Sequence, residues 1–155
     1  MNVYVIHVGN LKEKYYADAV AEYEKRLGRF CRLKNVEIRE ERLPDQPSEA
    51  QITSALQAEG KRILEALPER AYRIALCVEG KQLSSEDLAA AIAGAARDTV
   101  FIIGSSYGLS ETVKSACDLR LSFSRMTFPH RLMRVMLAEQ IYRAFSINAG
   151  GGYHK

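Results

Sequence analysis

The segment TVFIIGSSYGLSETVKSACDLRLSFS (residues 99–124) holds two apolar runs on either side of a short polar stretch. The first run predicts a buried strand at 99–104, and the second predicts another strand at 118–124. Between them, Ser110 followed by Glu111 is typical of the start of a short helix. A strand, a helix and a second strand in this order are typical of a parallel sheet covered by helices.

The rest of the chain repeats this alternation of strands and helices. Ser48 begins a predicted helix after a loop with two prolines, and Gly60 within that helix could cause a break. The other elements are strands at 2–9, 33–42 and 71–80, and helices at 12–28, from Ser84 or Ser85, and from Pro129. The sequence therefore predicts one α/β domain, residues 1–155, with about five strands in a mostly parallel sheet flanked by helices.

The composition is that of an ordinary globular protein, 47% hydrophobic and 26% charged. No apolar run approaches the roughly 20 residues needed to cross a bilayer, and the opening MNVYVIHVGN lacks the marks of a signal peptide. We therefore expect a cytoplasmic protein without a membrane partner. The three cysteines are far apart and form no C-x-x-C motif, so neither a disulfide nor a metal site is predicted.

Positive charge is concentrated in the C-terminal part of the chain. The net charge is +3, yet residues 120–155 contain six Lys and Arg residues against Glu139 alone. A positive region on a nearly neutral body predicts an anionic partner, most often a nucleic acid. The alternative is a set of solvated arginines that bind nothing.

The glycine-rich loop at 104–108, GSSYG, matches the G-x-S-x-G pattern of serine hydrolases. Ser106, Asp118 and either His130 or His154 would supply a triad in the required chain order. However, the chain is short for that fold, and no HGGG-type segment is present. The helix is also predicted to begin only at Ser110, which is late for a nucleophile elbow.

A glycine-rich turn after a buried strand has a second interpretation. Without a Cβ at Gly104 or Gly108, the backbone can approach a ligand closely. Neither a P-loop nor a dinucleotide-binding motif is present, so the sequence alone leaves a ligand loop and a plain tight turn open. Ligands of parallel sheets bind beyond the carboxyl ends of strands, which selects the loops after Val78, Ile103 and Phe123.

The last predicted helix, in PHRLMRVMLAEQIYRAFSI (129–147), is apolar nearly all round. Such a helix is buried on two sides, which predicts a homodimer in which one face packs on its own sheet and the other on a second copy. Gly150–Gly152 then lead to Tyr153, His154 and Lys155. These three residues are either a frayed terminus or a set suited to stacking, proton transfer and phosphate contact at a nucleobase.

Five stretches together resemble a known family over the full length of the chain. They are VYVIHVG (3–9), RIALCVEGK (73–81), FIIGSSYGLS (101–110), SFSRMTFPHRLMRVMLAEQIYRAFSI (122–147) and the terminal YHK (153–155). The chain closely resembles the small bacterial ribosomal RNA large-subunit methyltransferases that modify N3 of a pseudouridine in 23S rRNA, which are members of the SPOUT (trefoil-knot) superfamily.

This resemblance implies a C-terminal trefoil knot, with S-adenosyl-L-methionine bound in it by the backbone of three loops. It implies 23S rRNA or the ribosome as the substrate and a homodimer formed through the last helix. The positions that correspond to the cofactor site are Leu76, Gly104, Phe123, Ser124, Arg125, Met126, Thr127 and Phe128. Relatives commonly have glycine where this chain has Ser105, so strain is expected there if that position requires a positive φ.

Methylation of a ring N3 requires the loss of its proton, so a base or a partner for the N3 anion is needed. His130 and His154 are the candidate bases. Arg143 could stabilise the anion or bind a phosphate, and Tyr153 could stack on the base or hydrogen-bond to it. A serine hydrolase that uses Ser106 and a non-catalytic RNA-binding module are the alternatives.

Overall fold

The computed structural model describes residues 1–155 and contains five strands and five helices. In chain order they are β1 (Asn2–Val8), α1 (Lys14–Leu27), β2 (Arg32–Ile38), α2 (Glu49–Ala66), β3 (Tyr72–Gln82), α3 (Ser85–Ala95), β4 (Thr99–Ile103), α4 (Glu111–Ser115), β5 (Leu119–Ser122) and α5 (His130–Asn148). None of the helices is long and apolar enough to cross a membrane.

The five strands form one sheet in the order β2-β1-β4-β3-β5, and every pairing between neighbouring strands is parallel. Successive residues of the central strands enter two different cores, as the period of two requires. Phe101 packs in the core with α1, α3 and α5, whereas Ile102 packs in the core with α2 and α4. The predicted α/β sheet flanked by helices on both faces is therefore confirmed.

Hydroxyl side chains fix the starts of three helices. Ser48 and Ser84 each form a capping box with the residue three positions later, and the Ser110 hydroxyl accepts the Val113 N–H at 3.3 Å. Pro129 lies at the N-cap of α5 and precedes the first helical residue, His130. The predicted starts of these four helices are confirmed to within a residue, whereas α1 begins at Lys14, two residues after its predicted start.

Two predicted details are wrong. Helix α2 runs without a break through Gly60. The glycine instead lets α2 approach the start of α4, because a Cβ on Gly60 would lie 2.6 Å from the Ser110 hydroxyl. Strand β2 ends at Ile38 and does not extend to residue 42. Beyond it, the Glu41 N–H donates to the Glu59 carboxylate at 2.9 Å, so this backbone leaves the sheet.

Strand β3 leaves and rejoins the sheet beside β5. Leu121 of β5 pairs with both Leu76 and Lys81, so residues 77–80 form an excursion from the ladder. Gly80 ends the excursion, and a Cβ there would lie 2.8 Å from the backbone of Arg120 and Leu121. The excursion therefore needs a glycine where the two strands meet again.

Candidate functional site

A cavity of ≈ 730 Å³ lies at the carboxyl ends of β3, β4 and β5. Its walls come mainly from residues 76–79, 103–109, 121–124 and 126–130, which lie in the three loops selected from the sequence and at the strand ends beside them. The predicted cofactor positions that line it are Leu76, Gly104, Phe123, Ser124, Met126, Thr127 and Phe128. Arg125 is exposed and is absent from the walls. The fold thus brings most of the predicted set together around one space.

The glycine-rich loop closes on itself at the base of this cavity. The Gly108 N–H donates to the Ser105 carbonyl at 2.9 Å, and Gly108 has a φ of +88°. A Cβ on Gly104 would collide with the Gly108 carbonyl. Gly104 is therefore required first by the closure of its own loop, which then presents backbone groups to the cavity.

The strain expected at Ser105 is absent, because the φ of Ser105 is not positive. Ala96, at the end of α3, is the one non-glycine residue with a positive φ. Ser105 is 7% exposed, and its hydroxyl accepts the Tyr107 N–H at 3.3 Å. Behind it lies Glu59 of α2, which is 3% exposed. Burial raises the pKa of Glu59, and the hydrogen bond from the Glu41 backbone partly opposes that shift. Glu59 thus holds the loop after β2 against α2.

Two further charged residues line the cavity and were not predicted. Lys114 of α4 donates to Glu79 of the β3 excursion at 2.6 Å. The hydrogen bond from Lys114 is the main cause that lowers the pKa of Glu79, and the same bond raises the pKa of Lys114. The two residues are 35 positions apart, so no local pattern reveals this pair.

His130 is the one predicted catalytic residue that lines the cavity. Burial lowers its pKa below the ordinary 6.5, which favours the neutral imidazole. The next residue, Arg131, donates to Glu13 of the segment before α1 at 2.9 Å. This ion pair helps to hold the start of α5 beside the cavity.

The chain terminus is packed at the other end of α5. The Arg143 guanidinium binds Glu139 at 2.6 Å and lies 3.0 Å from His154 Nδ1, while His154 Nε2 lies 2.7 Å from Glu86. The Tyr153 hydroxyl donates to Glu139 at 3.2 Å, and burial is the main cause that raises its pKa to about 12. These five residues form what we call the tail cluster. The alternative of a frayed terminus is therefore wrong.

The four predicted catalytic residues consequently divide into two groups. Arg143 follows His130 by 13 positions on the same helix, which separates their Cα atoms by about 20 Å at 1.5 Å per residue. Arg143, Tyr153 and His154 are absent from the cavity walls. Within one chain, the cavity and the tail cluster do not form a single site.

The structure does not assemble the hydrolase triad. The Asp118 carboxylate accepts the Arg73 N–H at 2.8 Å and pairs with Arg97 at 3.5 Å, and neither contact involves a histidine. Ser106 is exposed in a loop without a positive φ at that position, and α4 begins only at Glu111. A strained nucleophile elbow is therefore not present.

Comparison with known proteins agrees with the fold. Residues 1–154 match the family described as "Predicted SPOUT methyltransferase". Proteins named "Ribosomal RNA large subunit methyltransferase H" from Streptococcus thermophilus (strain CNRZ 1066) and Bifidobacterium adolescentis are 50% and 49% identical to this chain. Both alignments cover 100% of this chain and 100% of the relative.

Two solved structures share the fold at low sequence identity. A "probable methylase family protein" from Haemophilus influenzae has a TM-score of 0.56 at 11% identity, covering 99% of this chain and 70% of that chain. A methyltransferase from Legionella pneumophila, solved with the bound cofactor SAM, has a TM-score of 0.52 at 12% identity. That match covers 97% of this chain and 67% of the other.

Proposed function

The chain belongs to the SPOUT methyltransferase family, and from this premise we propose that it methylates N3 of a pseudouridine in 23S rRNA with S-adenosylmethionine as donor. The observation that carries the proposal is the cavity at the carboxyl ends of β3, β4 and β5, with His130 in its wall. Relatives at about half identity, named as ribosomal RNA large subunit methyltransferases, support the substrate class. The place of action would be the cytoplasm, where ribosomes are.

The cavity has the chemistry that S-adenosylmethionine requires. Apolar walls such as Leu76, Ile103 and Phe128 suit an adenine ring, and the loop backbone around Gly104 offers hydrogen bonds. Glu79 and Lys114 place one negative and one positive group beside this space, which suits a ligand with an ammonium and a carboxylate. We propose that these loops belong to a C-terminal trefoil knot, and that the whole chain acts as one domain.

Bound S-adenosylmethionine supplies an electrophilic methyl carbon on a sulfonium. The residues of this chain must orient N3 toward it, exclude water and accept the N3 proton. We assign the proton to the imidazole of His130, which burial keeps neutral and therefore able to accept it. Tyr153 stays protonated because its pKa is raised to about 12, so it acts as a hydrogen-bond donor or stacking surface.

The distance between the cavity and the tail cluster supports a homodimer with shared sites. An apolar groove of ≈ 440 Å³ lies between α1, α3 and α5, with Leu83, Val135 and Met136 in its walls. Burial of these residues by a second α5 that runs in the opposite direction would place the Arg143 end of one copy beside the His130 end of the other. Each site would then contain the cavity of one chain and the tail cluster of its partner.

Methylation of large ribosomal subunits that lack the modification tests the activity, with transfer of a labelled methyl group as the readout. Subunit complementation tests the shared site. A Gly104→Ala chain, assayed at an S-adenosylmethionine concentration near the wild-type Kd, and a chain cut before Tyr153 are each expected to have little activity. A refolded mixture is expected to regain activity. Active wild-type protein with an inactive mixture would show that each site is built from one chain. Wild-type protein that binds no S-adenosylmethionine would overturn the proposed function.

A further inference from the structure

The link between α1 and β2 is strongly basic. Residues 25–34, KRLGRFCRLK, contain five Lys and Arg residues and no Asp or Glu. The net charge of the first 119 residues hides this concentration, because acidic residues elsewhere outweigh it. We call this segment the basic turn.

The cations of the basic turn face solvent and are largely unopposed. Lys25, Arg29, Arg32 and Lys34 are exposed and form no ion pair. Arg26 is the exception and pairs with Glu22 at 3.0 Å. Other charged groups of the protein are commonly paired, as in the tail cluster. Four unopposed cations in one short segment create a local positive potential that attracts an anion.

Aromatic rings lie under these cations and connect them to the tail cluster. Arg29 stacks over Phe30 at 4.7 Å, and Arg26 lies 5.9 Å from the Tyr142 ring. The Tyr142 ring contacts the Tyr153 ring at 4.7 Å, and Arg143 lies 4.8 Å from the Tyr153 centroid. The basic turn and the tail cluster are therefore adjacent, and the buried Tyr142 ring lies between them.

We propose that the basic turn binds phosphates of the ribosomal RNA strand beside the target nucleotide. The inference rests on the proposed function, in which the tail cluster contacts the target base. Closely spaced cations that outnumber the acidic groups beside them match the repeated charge of a nucleic acid backbone. An acidic protein partner would not need the adjacent stacking groups, so RNA is the occupant that both observations favour.

Two double variants with the same net charge test this assignment. Arg29→Gln/Arg32→Gln removes two cations of the basic turn, and Lys61→Gln/Arg70→Gln removes two exposed, unpaired cations from α2 and the loop after it. The first variant is expected to raise KM for large ribosomal subunits about tenfold, with kcat and the affinity for S-adenosylmethionine unchanged. Its dependence of KM on salt should also become shallower. The second variant should behave as wild type.

If the two double variants change KM equally, or if neither changes it, the inference is overturned. The proposed function would still stand, because it is tested by the activity of the wild-type protein. Ultraviolet crosslinking of the wild-type complex with large subunits provides an independent result. The peptide that contains Phe30 is expected to carry a nucleotide adduct. Crosslinks from this peptide to ribosomal proteins alone would overturn the assignment to RNA.

Discussion

The two ends of helix α5 have opposite chemical character. At the His130 end, apolar side chains and loop backbone surround a cavity, and the imidazole is held neutral by burial. At the Arg143 end, charged and aromatic side chains form a network that continues into the basic turn. The first end suits a small cofactor with an apolar ring and a few charged groups, and the second suits a polyanion.

The proposed cofactor site and the proposed RNA-binding surface therefore lie at opposite ends of the same helix. One helix carries both surfaces and keeps them about 20 Å apart. A variant that acts at one end should therefore leave the other end intact.

Removal of Tyr153–Lys155 should have the largest effect. Methyl transfer is expected to fall at least 100-fold, because groups that contact the reacting base are typically worth about 10²–10³ in rate. The affinity for S-adenosylmethionine, measured by calorimetry, should not change. Arg143→Ala is likewise expected to lose methyl transfer and keep its affinity for S-adenosylmethionine. A chain that lacks only Lys155 serves as the control for a shortened terminus. Loss of cofactor binding in the truncated chain would show that the two ends are not separate.

Gly104→Ala should give the reverse result. A Cβ at this position collides with the Gly108 carbonyl, so the loop must open. Overpacking of this kind costs about 1–3 kcal/mol, which corresponds to a loss of roughly 5- to 150-fold in affinity for S-adenosylmethionine. Ser106→Ala in the same loop should bind as wild type, and it would be inactive only in a serine hydrolase. A melting temperature of the Gly104→Ala variant well above the assay temperature would exclude unfolding as the cause.

The pH dependence of methylation should identify the base. Burial, the largest effect, and Arg131 lower the pKa of His130, while Glu40 and Glu13 raise it. Its imidazole therefore stays neutral as the pH falls, until the pH passes through a value below 6.5. The rate at saturating substrate should then fall about tenfold per pH unit, and His130→Gln should be slow and lack this acid limb. Loss of the limb in His154→Gln with its retention in His130→Gln would assign the proton to the tail.

Glu59→Gln should have the smallest effect, and it should concern stability. The pKa of Glu59 is raised in the folded protein, so the folded state binds its proton more tightly than the unfolded state. Stability is therefore lost as the pH rises from about 4.5 through the folded pKa. Glutamine can still accept the Glu41 N–H without a charge, so at pH 8 Tm is expected to rise by roughly 2–4 °C. A variant that melts below wild type at pH 8 would show that the carboxylate stabilises the loop.

Local sequence patterns predicted most of the helices and strands. The details that they failed to predict depend on contacts between residues far apart in the chain. The buried run at 99–104 and the hydroxyl caps at Ser48 and Ser110 gave the correct strand and helix starts. The predicted end of β2 was wrong because the Glu41 N–H donates to the Glu59 carboxylate, 18 positions away, and not to a neighbouring strand. The surroundings of Glu59 on a polar helix contain no sequence signal for its burial.

The candidate site shows the same limit and one missed opportunity. The three loops were correctly expected to meet, because parallel strands end at one edge of a sheet. Glu79 and Lys114 could not be paired from sequence, since no periodicity relates them. The division between His130 and Arg143, however, follows from helix geometry alone. His130 and Arg143 were predicted to act in one site because their chemistry suits it, although their spacing along α5 already places them apart.

The excursion of β3 has a consequence for how such a protein can change length. The same residue of β5 pairs with Leu76 before the excursion and with Lys81 after it, so the sheet does not depend on how many residues lie between. Insertions and deletions at 77–79 would alter one wall of the cavity without shifting any strand. The fixed point is Gly80, where the chain returns against the backbone of Arg120. A change in chain length at 77–79 would therefore reshape one wall of the cavity and leave the fold intact.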